Sequence, residues 1–214
     1  MIILQLNVMR PINVNMGKGR IEAFSDGVIA IIITIMVLEM KVPAHGYHQL
    51  ADLKEMWPVF ISYIMSFIYV GIYWNNHHHM FHAVRSINGS VLWANLHLLF
   101  WLSVVPFATA WMGENSLNAT GPVVLYGFVL LMNSIAYLIL VIMLIKHEGK
   151  NSALAVAVGN DQKGKISTLF YLLGIACAWL NTYLSFAFYV AVALIWLIPD
   201  RRIEKRLAAE QHPE

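Results

Sequence analysis

Charge and cysteine are both scarce in this chain. Only 12% of its residues are charged, where a soluble domain carries about 25%. The few charges cluster between long apolar runs, and 59% of the residues are apolar. That pattern excludes a soluble fold with an ordinary solvated surface and points to an all-α, polytopic integral membrane protein. Cys177 is the single cysteine and lies in an apolar run. It excludes a disulfide framework within one chain and reads as a small buried thiol. Low-complexity tracts, long linkers and internal repeats are also missing. No nucleophile–base pair and no phosphate-binding glycine loop is present, so no enzymatic activity is expected. The basic residues are short flanks of apolar runs, so nucleic acid is not an expected partner either.

What is there is a series of apolar stretches of membrane length. A bilayer core about 30 Å thick takes roughly 20 helical residues to cross. Ile21–Met40, Met56–Trp74, Val91–Met112 and Pro122–Ile145 each suit one span. The last run, Ile166–Pro199, is too long for one helix and short for two full spans. It reads as a tight hairpin of two shortened or tilted helices that breaks near Asn181–Thr182, with a single re-entrant segment as the alternative. The expected total is six transmembrane helices.

The flanking charges agree with that count. Six spans place Arg10, Lys18, Arg20, Arg85, Lys146, Lys150, Lys163, Lys165, Arg201, Arg202, Lys205 and Arg206 on one side. Only Lys41 and Lys54 fall on the other. By the positive-inside rule both termini are then cytoplasmic. Residues 1–19 form an N-terminal segment, 20–200 the membrane domain and 201–214 a basic tail that also suits anionic lipid. The apolar start, Met1 to Met9, makes a poor signal peptide. Met16 begins Met-Gly-Lys-Gly-Arg, so residues 1–15 are expected to be an extension or an upstream start.

The first span carries Glu22 and Asp26, and intramembrane carboxylates are costly. On a helical wheel at about 100° per residue, Arg20, Phe24, Gly27, Thr34, Ile35 and Leu38 fall within about 60° of Ile31. Glu22, Ser25 and Asp26 point away from that stripe. The wheel does not say which face meets protein. Taken alone, the stripe suits helix packing, and Asp26 suits a carboxylate paired with polar neighbours. Partners stand near the same side: Trp74-Asn75-Asn76-His77-His78-His79-Met80-Phe81-His82 ends the second span, and Asn95 and His97 lie near the start of the third. A polar layer linking three helices would fix one packing arrangement.

At these residues the chain resembles a known family. Arg20, Phe24, Ser25 and Asp26 match the Arg-x-x-x-Phe-Ser-Asp signature of the transmembrane protein 175 family of potassium channels. The continuation from Gly27 through Pro43, the Trp74-x-x-His77-His78 stretch and Asn95 with Pro106-Phe107 are similar to its bacterial members. The resemblance implies six spans per subunit, a homotetramer in the bacterial cell membrane, and a first span that lines a central pore. It implies potassium as the permeant ion, no cofactor, and no Thr-Val-Gly-Tyr-Gly filter, which this sequence lacks. In the family, a bulky apolar side chain five residues after the signature Asp forms the constriction, which places Ile31 there. Thr34, Ile35 and Leu38 map to further pore-facing positions. A ring of Ile31 side chains closes a pore by dewetting, and Thr34 hydroxyls replace hydration oxygens. Arg20, Phe24, Ser25, Asp26 and Asn95 are expected to form a structural network with His78 or His79.

Besides a purely structural membrane protein, which leaves the stripe with Thr34 unexplained beyond packing, two rivals remain. His78 and His82 stand four apart, as two metal or haem ligands would. Position 79 is His, however, so His-Glu-x-x-His is absent, and no metal is expected. A proton-coupled transporter would use Asp26 and the histidines as a relay, but transporters show paired repeats and broken helices.

Overall fold

The computed structural model describes residues 17–41 and 50–197. The expected N-terminal extension and the basic tail 201–214 lie outside the described residues. Among the described residues seven α-helices follow in order: α1 (Lys18–Leu38), α2 (Trp57–His82), α3 (Gly89–Glu114), α4 (Thr120–Glu148), α5 (Ala153–Val158), α6 (Gln162–Cys177) and α7 (Thr182–Leu197). A 3-10 turn, Leu50–Met56, precedes α2. Four of these, α1 to α4, are long and apolar enough to cross a membrane.

Local chemistry sets the helix ends. Pro58 opens α2, where a missing N–H costs nothing. The Asn88 side chain accepts from the Val91 N–H and caps α3. Ser152 caps α5 and Asp161 caps α6 in the same way. The small helix α5 lies between the expected spans Pro122–Ile145 and Ile166–Pro199, where the sequence reading placed no helix. The run from Ile166 does break into a hairpin, with α6 ending at Cys177 and α7 starting at Thr182. At about 1.5 Å per residue each arm is about 24 Å long, less than a full bilayer core.

The helices run up and down. At one end, the backbone N–H groups of Arg85 and Ser86 donate to Glu148 Oε1, and Ser86 and Asn88 meet His147. The α2–α3 loop and the end of α4 therefore share one end, with the start of α1. At the other end, Lys41 pairs with Glu114, and the Tyr183 hydroxyl donates to Asn118 at 2.7 Å. Lys18, Arg20, Arg85, Lys146, Lys150, Lys163 and Lys165 all belong to the first, basic end. Glu114 raises the pKa of Lys41 through its hydrogen bond and its charge.

α1 packs on α2 and α3, while α6 and α7 pack on each other, on α4 and on one side of α2. α1 and the hairpin thus stand at opposite edges of the described helices. Helix association in a bilayer rests on close packing and hydrogen bonds, since lipid is as apolar as leucine. Tyr189 of α7 illustrates the first. It lies in a slot between Gly127 and Gly174, where a Cβ on either glycine would stand 2.0 and 2.5 Å from the ring or its hydroxyl. A buried set on α2, α3 and α4 illustrates the second: Ser66 Oγ lies 2.9 Å from the Tyr126 hydroxyl and 2.7 Å from Thr109 Oγ1.

Candidate functional site

The structure separates the two faces of α1. Ile21, Ser25, Ile29, Ile32 and Met36, at spacings of four and three, are buried against α2 and α3. The opposite stripe is uncovered. Arg20, Phe24, Gly27, Ile31, Thr34, Ile35 and Leu38 are all exposed, Phe24 at 54%, Ile31 at 57% and Leu38 at 79%. α1 is the least covered of the four long helices. The buried face is thus the one that carries Ser25, which the wheel alone left open.

Ser25 belongs to a buried polar chain through three helices. Asn95 of α3 donates through Nδ2 to Ser25 Oγ at 2.9 Å. Asn95 Oδ1 meets His77 Nε2 of α2 at 2.8 Å. Ser25, Asn95 and His77 are 0%, 1% and 2% exposed. The histidine in this chain is His77, not the expected His78 or His79. His77 stands in phase with the buried face of α2, four residues after Tyr73 and seven after Val70. His78 is turned about 100° away. It is exposed and stacks on Trp74, with His82 edge-on 4.6 Å away. His79 is half-buried, and His97 accepts from Trp101 Nε1 within α3.

The rest of the expected network is also divided. Asp26 is exposed in the single chain and accepts from Trp74 Nε1 at 3.0 Å. It is therefore not a buried carboxylate here, because the helix turn that buries Ser25 carries its neighbour outward. Arg20 and Phe24 are exposed, and the Arg20 side chain makes no hydrogen bond or ion pair among the described residues. Among the described residues no group of three or more His, Cys, Asp or Glu side chains stands close enough to hold a metal ion.

Two features of the open stripe bear on chemistry. Thr34 Oγ1 donates to the Ile31 carbonyl at 2.9 Å. Its proton is thus used on its own helix, and its oxygen lone pairs remain as acceptors on the open face. Beside the stripe, α1 and α3 leave an apolar groove of about 470 Å³. Val28, Ile31, Ile35, Pro106 and Phe107 line it, with Ser103 and Glu39 as its polar members.

Known proteins resemble this arrangement. The family described as endosomal/lysosomal potassium channel TMEM175 matches residues 20–106. A protein of Chryseobacterium sp. (strain P1-3), named a potassium channel, is 58% identical over 192 residues, which is 90% of this chain and 98% of that protein. The human endosomal/lysosomal proton channel TMEM175 is 33% identical over 103 residues, 44% of this chain and 20% of that one. Among solved structures, the crystal structure of a lysosomal potassium-selective channel TMEM175 homolog from Chamaesiphon minutus superposes with a TM-score of 0.75 at 29% identity. It covers 86% of this chain and 97% of that chain.

Proposed function

The chain belongs to the TMEM175 family, and from that premise we propose a potassium-permeable cation channel whose pore is lined by α1 from several copies of the chain. The observation that carries the reading is the uncovered stripe of α1. It is continuous from Arg20 to Leu38 while the opposite face is buried. One helix per subunit encloses a pore only if several subunits contribute, and four is the number the family resemblance implies.

Asp26 adds a physical reason for assembly. A carboxylate facing lipid inside a span is costly. Asp26 is exposed on α1 in the single subunit, so water or a neighbouring copy must cover it in the membrane. The groove between α1 and α3, with Phe107 at 62% exposure on its rim, suits a second copy. Six spans, α1 to α4 with α6 and α7, put the basic end in the cytoplasm.

Within the pore, Ile31 side chains form an apolar collar that excludes water when narrow. Thr34, about one turn further, presents acceptor oxygens that replace part of a cation's hydration shell. Ile35 and Leu38 continue the wall toward the outer mouth. Ser25, Asn95 and His77 hold α1 at the angle that turns this stripe away from α2 and α3.

The test is Ile31→Asn in a planar bilayer or patch recording. A polar collar wets, so basal conductance rises above that of the parent protein. A silent variant that is folded and inserted at normal levels contradicts the assignment of the collar.

A further inference from the structure

The basic end of the subunit holds a cleft that the pore does not use. α4 on one side, and α5 with the start of α6 on the other, enclose about 430 Å³. Asn76, Ser134, Tyr137 and Trp196 line both this cleft and a narrow pocket beneath it. Val141, Ile145, Leu154 and Val158 form apolar walls. Leu138 and Ile142, also in the lining, are 42% and 48% exposed, so the cleft opens along the outer flank of α4. That flank belongs to the side of the subunit remote from α1.

The mouth is cationic. Lys163 and Lys165 line it with one acid, Asp161. The Asp161 carboxylate accepts from the Gly164 N–H at the start of α6 and keeps its charge, so these three side chains carry a net positive charge. Lys163 Nζ lies 5.8 Å from the centre of the Trp196 ring, and Lys165 Nζ donates to Asn160 Oδ1 at 2.8 Å. Both ammonium groups are thus held at the cleft. Further in, the Ser134 and Tyr137 hydroxyls make no hydrogen bond among the described residues. The sequence beyond Trp196 runs within six residues into Arg201 and Arg202.

An apolar slot open to the bilayer flank, with fixed positive charge at its interfacial mouth, has the chemistry of an anionic lipid. A soluble anion would use the lysines and leave the apolar walls without a partner. We propose that this cleft holds one anionic glycerophospholipid per subunit, its phosphate at Lys163 and Lys165 and one acyl chain between α4 and α5. The bound lipid fills the space beside the short arm α6. The inference rests on the membrane-spanning reading above but not on conduction, because its readout is binding.

The experiment is native mass spectrometry of the full chain, delipidated in detergent and titrated with phosphatidylglycerol or phosphatidylcholine of the same acyl chains. The expected result is one phosphatidylglycerol retained per subunit at a several-fold lower concentration than phosphatidylcholine. Lys163→Gln with Lys165→Gln removes that preference, and Ala157→Phe weakens retention of both lipids. If Ala157→Phe does not fold, Ile142→Trp on the exposed side of the same wall reads the same thing. Glycerol phosphate fails to displace the lipid. Equal retention of the two lipids, an unchanged preference in the double lysine variant, or displacement by glycerol phosphate overturns the proposal. The last outcome identifies a soluble-anion site. An inactive channel with the expected lipid preference fails the pore reading alone.

Discussion

Replacing Asn95 with alanine removes the middle of the polar chain that orients α1. The substitution breaks two hydrogen bonds, at 2.9 Å to Ser25 and 2.8 Å to His77. It leaves both partners buried, at 0% and 2% exposure. In soluble proteins a stranded buried polar group costs about 1–3 kcal/mol. Within membranes a side-chain hydrogen bond averages about 0.6 kcal/mol, with a maximum near 1.7. Two bonds therefore give an expected loss of about 1–3 kcal/mol for Asn95→Ala. Ser25→Ala breaks one bond and leaves Asn95 paired with His77, so it costs about half as much. The double variant costs less than the sum, because the second change finds the bond already broken. Denaturant titration in detergent, followed by fluorescence of the seven tryptophans, measures all three. His78→Ala is the control: its ring is exposed and stacks on Trp74, so the loss stays within about 0.5 kcal/mol. Equal losses for Asn95→Ala and His78→Ala, or strict additivity of the Ser25 and Asn95 changes, would refute the chain.

Two further outcomes follow from the same geometry. Thr34→Ala removes the acceptor oxygen from the open face, so the potassium-to-sodium permeability ratio falls; an unchanged reversal potential under bi-ionic conditions removes Thr34 from selectivity. Gly127→Ala places a Cβ 2.0 Å from the Tyr189 hydroxyl, while Gly71→Ala meets nothing within 4 Å. The first variant loses thermal stability and yield on size-exclusion chromatography, and the second does not.

The long spans were legible because apolar runs of membrane length leave few alternatives. The hairpin was legible because Ile166–Pro199 fits neither one helix nor two full ones. The stripe on α1 was legible as a pattern, since Arg20, Phe24, Ile31, Thr34, Ile35 and Leu38 repeat at helical spacing. Its exposure was not, because Ala30, Ile32 and Ile33, off the stripe, are apolar too. The identity of the buried histidine depended on the facing of α2. Three consecutive histidines differ by about 100° each, and only the phase of Tyr69, Tyr73 and His77 singles one out. That phase was present in the sequence as an i, i+4, i+8 series. Asp26 lay one residue, and so about 100°, from Ser25; reading the two as one motif hid their separate environments. The helix α5 is too short for a periodic signal, and only the cap at Ser152 marks it.

Passive ion flux separates a pore lined by α1 from a coupled transporter. Purified protein is reconstituted in liposomes and challenged with potassium, sodium and caesium gradients, with no other solute offered. Potassium is expected to run down its gradient without a coupled ion, faster in Ile31→Asn than in the parent. No flux under any gradient, from protein that is folded and inserted, would contradict the pore.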